Sequence, residues 1–465
     1  MNKIPAIAIF DVGKTNKKLL LFDQQYDLVH EESKKFDEIK DEDGFACEDV
    51  AKLTEWVKSS FERIAADERF DLKGVNFSAY GASFVYLDEN GEVTLPLYNY
   101  LKPYPKKLQD QFYKAYGGES AIAKQTASPV LGNLNSGMQL YRLKYEKPEA
   151  FEKIKYALHL PQYLSYILCS KPNADITSVG CHTNLWHFQQ NNYHKWVKQE
   201  GIAEKFPSIL RCTDIAGRIK NNIPVGAGLH DSSAALIPYL ASFREPFILL
   251  STGTWCISLN PFNHSQLSDY ELDQDCLCYL SYEGKPVKAS RLFAGYEHEQ
   301  QVKRLAEHFA KPTDYYTTVI ADTSLIQKAR QKLAKDQLQK REQSAMVSQS
   351  AFSKRDLKDF DSYEEAYHQL IADIIAQQTR STNIVFKGTP VKKIFVDGGF
   401  GNNPIYMQML AAAFPGIEVY AASIAQATAM GAALAIHKQW NSRPLPSDMV
   451  KLKSYKIGDA LQPVV

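Results

Sequence analysis

Residues 4–22 read IPAIAIFDVGKTNKKLLLF, and residues 247–259 read FILLSTGTWCISL. Each is an apolar, β-prone run, a short polar stretch holding a glycine, and a second apolar run, which is the pattern of a hairpin. The two copies share a layout but no longer identity, so the echo is structural. Two such hairpins half a chain apart point to two domains of similar design, residues 1–243 and 244–465, with a joint at Glu245-Pro246. Strands alternating with helices elsewhere make the fold class α/β.

Working outward from the hairpins, Val50, Leu53, Val57, Phe61 and Ile64 recur at helical spacing. A strand is expected over residues 73–80, ending at Gly81. Residues 135–170 read as helical with Pro148 and Pro161 as boundaries, and residues 323–380 as long helices with a solvated face. A short strand at 393–396 leads into DGGFGNNP, and an alanine-rich helix over 424–437 comes last.

Of the 465 residues, 54 are Lys or Arg and 53 are Asp or Glu, for a net charge of +1. That balance argues against a broad nucleic-acid footprint and against a polybasic membrane anchor. No stretch approaches the roughly 20 apolar residues of a membrane span, and IPAIAIF is too brief for the apolar core of a signal peptide. Seven scattered cysteines fit reduced thiols in the cytoplasm better than a disulfide framework. The sequons at Asn76 and Asn263 then carry little weight.

Gly13-Lys14-Thr15 suggests a P-loop, but Ala8 stands where that motif needs its first glycine, and a strand follows where it needs a helix. What remains is Asp11, Gly13, Thr15 and Asn16 at a hairpin tip. Gly13 permits a positive φ and a close approach to a ligand. Backbone N–H groups with the Thr15 and Asn16 side chains could cradle phosphate oxygens, and Asp11 could hold Mg²⁺ through water. The same residue types also make an ordinary turn. Thr252, Gly253 and Thr254 repeat the chemistry, and two tips facing one cleft would bracket a polyphosphate.

Gly398-Gly399-Phe400-Gly401 lacks the GxGxxG spacing. It suits a loop lying flat against a ligand with Asn403 as a hydrogen-bonding head, or a tight strand-to-helix turn. Asp231, where a strand over 223–227 gives way to a helix, reads as a helix N-cap or as a general base that takes a hydroxyl proton during phosphoryl transfer. Cys276-x-Cys278 is a lone pair, and His182, His187 and His194 do not fit a zincin, so no zinc site is expected. The five tryptophans are spread out and read as core.

Six stretches, in order, resemble the FGGY family of carbohydrate kinases: IAIFDVGKTNKKLLLFD, ADITSVGCHTNLWHFQQNNYHKW, VGAGLHDSSAAL, LLSTGTWCISL, FVDGGFGNNPIYMQMLAAAF and AQATAMGAALA. The His-Asp pair and the STGTW form are most similar to the rhamnulokinase and fuculokinase branch. The resemblance implies two actin-like, RNase H-like ATPase domains with the active site between them. It implies ATP and Mg²⁺, and phosphoryl transfer to a hydroxyl of a ketose, a 6-deoxy ketose or a polyol. It assigns Asp231 as the base. It assigns Gly13, Thr15, Asn16, Lys18, Thr252, Gly253 and Thr254 to the phosphates, Asp11 to Mg²⁺-bound water, and Gly398, Gly399 and Asn403 to the nucleotide. Gly81, Ala82, Ser83, Asn99 and His230 become sugar contacts. Three positions depart from the family pattern: Lys14 for a hydroxyl residue, and Tyr100 and Gln162 for acids, so the sugar cannot be copied from a relative. An actin-like ATPase and an inactive sugar sensor are the rival readings, and pairing of two copies is left open.

Overall fold

The computed structural model describes residues 3–339, 350–424 and 426–455. Parts of two expected helices, residues 340–349 and Ala425, lie outside these. Two seven-stranded mixed sheets form the body. The first holds β1 (Ile4–Val12), β2 (Lys17–Asp23), β3 (Leu28–Lys34), β4 (Phe70–Ala79), β5 (Ile215–Ile219), β6 (Ile223–Gly226) and β7 (Leu229–His230). Its order is β5-β6-β4-β1-β2-β3, with β7 also on β4. The second holds β8 (Phe247–Thr252), β9 (Cys256–Asn260), β10 (Cys276–Leu280), β11 (Pro286–Leu292), β12 (Lys393–Gly398), β13 (Glu418–Ser423) and β14 (Lys451–Tyr455). Its order is β10-β11-β9-β8-β12-β13-β14.

The echo in the sequence is an echo in topology. β1 pairs antiparallel with β2 and parallel with β4. β8 pairs antiparallel with β9 and parallel with β12. The opening strand is apolar without alternation because both faces are covered. Ala6, Ala8, Phe10 and Val12 pack with Leu19 and Leu21 on one side, under α1 (Val50–Ala66). Ile7, Ile9, Leu20 and Phe22 face the other side, in a cluster that also holds Phe247, Leu249 and Leu259 of the second sheet. The two sheets therefore share one layer of core.

That layer contains α3 (Asp231–Ser242) and α7 (Ala427–Ala435). Between them in sequence lie α4 (Ala294–His308), α5 (Tyr363–Phe386) and α6 (Pro404–Ala413); α2 (Leu160–Cys169) precedes β5. Where α3 and α7 meet, a Cβ on Gly431 would fall 1.8 Å from the Ala234 carbonyl oxygen. The alanines of both helices exist for this contact: only small side chains let two helix backbones touch. Asn76 locks the crossing to the first sheet. Its Nδ2 donates to Ala432 O at 2.8 Å, and its Oδ1 accepts from Gly228 N at 3.1 Å. Asn76 and Asn263 are buried, so both sequons are closed to modification in the fold.

One expected helical stretch is broken. Residues 135–170 form helices at Ser136–Glu146 and Pro148–Lys153, then the strand Tyr156–His159, then α2. The strand pairs with Phe84–Leu87; its four residues are too few for periodicity to separate it from the helices around it. No helix among the described residues is long and apolar enough to cross a membrane. Gly431→Val should lower stability by about 3 kcal/mol or more, because the helices must separate to admit the side chain. A thermal melt reads this, and an unchanged melt would mean the helices do not touch here.

Candidate active site

β1, β4 and β7 run parallel, and their carboxyl ends bring Asp11, Gly81 to Ser83, and His230-Asp231 to one edge of the first sheet. In open α/β sheets that edge is where ligands sit. The Asp11 carboxyl lies among Ser78, Lys18 and Thr428 and faces Asp231; burial first, and then the charge of Asp231, pushes its pKa up to about 7. Lys18 Nζ lies 3.0 Å from Glu31 Oε1 and 3.1 Å from Gln426 Oε1, tying the first hairpin to the start of α7.

Asp231 is the first residue of α3, and the N-cap position belongs to His230. The Asp231 carboxylate caps no turn, which removes the N-cap reading. Its Oδ1 accepts from Ser232 N at 2.5 Å and lies 3.2 Å from His230 Nε2. The side chain is 33% exposed, open toward the cleft. The loop before it is held tightly. Gly228 has φ +83°, and a Cβ there would lie 2.3 Å from Pro161 O. Gln162 Nε2 donates to Gly228 O at 2.9 Å, and Thr177 Oγ1 accepts from His230 N at 3.0 Å. Gln162, at a position where the family resemblance expects an acid, thus braces the loop before Asp231.

The hairpin tips differ from expectation in detail. Gly13 does not adopt positive φ. Its N–H donates to Asn16 O at 2.9 Å, and a Cβ would meet that oxygen at 3.2 Å, so the glycine serves a tight closure. Thr15 and Asn16 stand exposed at the tip. Lys14 pairs with Glu38 at 2.6 Å. In the second tip the Thr252 hydroxyl is already used: Oγ1 donates to Asp397 O at 2.7 Å and accepts from Phe400 N at 3.1 Å. Gly253, Thr254 and Trp255 are the exposed residues there. Trp255 is 43% exposed and not core; its ring lies 5.5 Å from the Arg291 guanidinium and 4.5 Å from Phe293.

Two close backbone approaches shape the space behind this tip. A Cβ on Gly398 (φ +90°) would fall 1.9 Å from Thr252 O, and one on Gly295 would fall 1.8 Å from Gly253 O. Gly399 has open space above it. A cavity of about 430 Å³ follows, lined by Gly253, Gly295, His298, Tyr316, Tyr367, Gly399, Phe400 and Asn403 among others, within the usual size of a ligand pocket. Asn403 borders it, but its side chain is committed. Oδ1 caps α6 through Ile405 N and Tyr406 N, and Nδ2 donates to Tyr367 Oη at 2.9 Å. Asn99 is likewise spent, on Ala46 O at 3.1 Å and Leu101 N at 3.0 Å. Three larger surface cavities share no residue with the edge that holds Asp11 and Asp231.

Comparison with known proteins places this geometry. Residues 6–237 match the FGGY family of carbohydrate kinases, N-terminal domain, residues 244–338 match Carbohydrate kinase FGGY, C-terminal domain, and residues 361–439 match FGGY family of carbohydrate kinases, C-terminal domain. The chain belongs to the FGGY family of carbohydrate kinases. It is 26% identical over 263 residues to a rhamnulokinase of Mannheimia succiniciproducens, covering 54% of this chain and 52% of that protein. A rhamnulokinase of Halalkalibacterium halodurans is 23% identical over 263 residues, covering 53% of this chain and 52% of that protein. The chain thus matches about half the length of these curated relatives. A carbohydrate kinase from Novosphingobium aromaticivorans has the same fold, with TM-score 0.79 at 21% identity over 99% of this chain and 96% of that one. So does a xylulose kinase from Lactobacillus acidophilus, with TM-score 0.79 at 17% identity over 98% and 94%.

Several residues of this FGGY site escape a reading of the sequence. Lys17 and Glu48 form an ion pair at 2.8 Å, 1% and 3% exposed, beneath the first tip. Glu48 also accepts from Tyr80 Oη at 3.2 Å, and the Tyr80 ring packs edge-on against Tyr100. Lys17 was detectable: it stands in phase with core-facing Leu19 and Leu21, where a solvated lysine has no place. Tyr100, in place of the expected acid, is close enough to Asp231 for that charge, after burial, to push its hydroxyl up. His159 and His182 are held neutral by burial, each with its pKa pushed down to about 3. Cys181, His182 and His230 also bring their ligand-type atoms within 4.8 Å of one another. The ligands come from two separated loops, so no spacing rule could have found them.

The Asp11 shift has a sign that can be tested. Its pKa rises from the ordinary 3.8 to about 7, so between these values the fold holds a proton that the unfolded chain releases. This contribution to stability is fully present below about pH 4 and is lost as pH rises through about 7. Ligand-free protein should lose melting temperature across that window, and Asp11→Asn should lose less. Parallel pH profiles for the two would show that Asp11 is not buried as described.

Proposed function

We propose that this chain transfers the γ-phosphoryl group of ATP to a hydroxyl of a ketose, a 6-deoxy ketose or a polyol. The observation that carries the reading is the facing pair Asp11 and Asp231 at the carboxyl ends of the first sheet. Asp11 is partly buried at the end of β1, and Asp231 opens to the cleft beside a neutral histidine. In this reading residues 1–243 hold the sugar and the first phosphate tip, and residues 244–465 hold the second tip and the nucleotide. The rhamnulokinases among the relatives favour a 6-deoxy ketose.

The residues present suit the groups implied. Two facing carboxyls with Lys18 nearby would be relieved by a divalent ion, and Asp11 would hold Mg²⁺ through water. The bound ion would supply charge neutralisation on the phosphates. The cavity bounded by Gly253 and Gly399 has room for the adenosine, with Phe400 and Tyr367 as aromatic walls.

The rest is work for side chains and backbone. Asp231 accepts the acceptor hydroxyl's proton, with the Gly228 loop fixing its place. Neutral imidazoles at His230, His182 and His159 offer hydrogen bonds without charge, which suits an uncharged polyol. Exposed Thr15, Asn16, Gly253 and Thr254 present hydroxyl, amide and N–H groups to phosphate oxygens. Because the transition state is loose, positioning and charge stabilisation dominate. Arg291, 5.5 Å from Trp255 and near enough to Cys181 to act on its thiol, links the second tip to the His230 side of the cleft. Closure of the domains about the α3–α7 crossing would exclude water as a competing acceptor.

ADP release with Mg-ATP, measured across ketoses, 6-deoxy ketoses and polyols beside a sugar-free control, tests the reading. One or two sugars should stimulate release strongly. Equal release without sugar would favour a plain ATPase, and ATP binding without release would favour a sensor. Asp231→Asn should lose on the order of 10²–10⁴ in turnover while still binding ATP. Turnover near wild type in that variant would remove Asp231 as base.

A further inference from the structure

Cys181, His182 and His230 bring one ligand atom each to within 4.8 Å of one another. Cys181 Sγ and His230 Nε2 are 3.3 Å apart, close to the roughly 3.5 Å that separates a sulfur and a nitrogen on one tetrahedral ion. The hydrogen bonds around the cluster settle which nitrogens are available. His182 Nδ1 lies 3.0 Å from Leu134 O, a pure acceptor, so Nδ1 carries the proton and Nε2 keeps its lone pair. Ser233 Oγ spends its proton on Leu280 O at 3.1 Å, so at His230 Nδ1, 3.5 Å away, it can only accept. The His230 proton therefore sits on Nδ1, and its Nε2 lone pair points at the cluster.

That lone pair lies 3.2 Å from Asp231 Oδ1, a second electron-rich atom with no proton of its own to offer when ionised. The cluster is buried, walled by the Tyr279 ring 5.6 Å from His230 and 6.2 Å from His182. The partly exposed Asp231 side chain borders it. The Leu134 carbonyl at His182 Nδ1 and the Ser233 hydroxyl at His230 Nδ1 are the kind of supports that hold metal ligands in orientation.

We propose that Cys181, His182 and His230 form a three-residue binding site for a zinc-class divalent ion, with water as its fourth ligand. Binding converts the Cys181 thiol to a thiolate and releases one proton to solvent. The thiolate then offsets part of the charge of the ion. Thiolate and imidazole donors select Zn²⁺ or Co²⁺ over Mg²⁺, so the site is chemically separate from the Mg²⁺ position at Asp11. An ion on His230 Nε2 lies beside Asp231, whose Oδ1 is 3.2 Å from that nitrogen, so its charge competes for the carboxylate that an acceptor hydroxyl needs.

The test uses full-length, metal-free protein and Co²⁺ alone as the probe. One equivalent should bind with a thiolate-to-cobalt charge-transfer absorption, displaced by Zn²⁺. Cys181→Ser should abolish that absorption, and His182→Ala should weaken binding about a hundredfold. Release of one proton per Zn²⁺ by unmutated protein is the second readout, which no folding defect can imitate. Absence of the absorption at saturating Co²⁺, its persistence in Cys181→Ser, or binding without proton release would each overturn the site. None of these readouts depends on the kinase reading. Inhibition of sugar-stimulated ADP release by Zn²⁺, reversed by a chelator, does depend on it, so failure of the two can be told apart.

Discussion

The backbone contact between α3 and α7 is the constraint on which the rest of the structure depends. Gly431 sits against the Ala234 carbonyl with no room for a side chain, and both helices are lined with alanine to keep that distance. α3 begins with Asp231, and α7 begins beside Gln426 and Thr428, which reach Lys18 and Asp11. The crossing therefore sets the spacing between the two carboxyls at the head of the cleft. Asn76 fastens the same crossing to the strand that ends at Gly81.

A second constraint is the burial of charge near the first tip. Lys17 and Glu48 are almost wholly withdrawn from water and satisfied by each other, with Tyr80 Oη donating to the carboxylate. Removing one partner of such a pair leaves an uncompensated charge, at a cost of about 3–5 kcal/mol. Asp11 has no such partner at equal depth, and its raised pKa is the sign of it. Lys17 and Glu48 thus form one neutralised pair beneath the hairpin, while the Asp11 carboxyl faces Asp231.

Much of this was legible in residues 4–22 and 247–259, because a hairpin buried on both faces leaves an unbroken apolar record on each side of a polar tip. The roles of individual polar residues were not. Thr252, Asn403 and Asn99 have the chemistry of ligand contacts, yet their hydrogen-bonding capacity goes to Asp397 O, the first turn of α6 and the turn at Leu101. The same donors and acceptors suit a phosphate or a backbone, and only the fold says which is within reach. Gly13 and Gly398 divide the same way: both follow a strand, but only Gly398 takes the left-handed conformation.

The sequence by itself determined that there are two hairpin-led sheets, that glycines sit where the chain turns at each tip, and that Asp231 stands between a strand and a helix. Those are local properties, written in the order of apolar and polar residues. Tertiary structure decided that Asp11 faces Asp231, that Lys17 is buried against Glu48, and that Cys181 and His182 meet His230. Each of these joins residues from separate segments of the chain. Burial, charge and ligand geometry depend on distance in space, and the order of residues along a chain does not encode that distance.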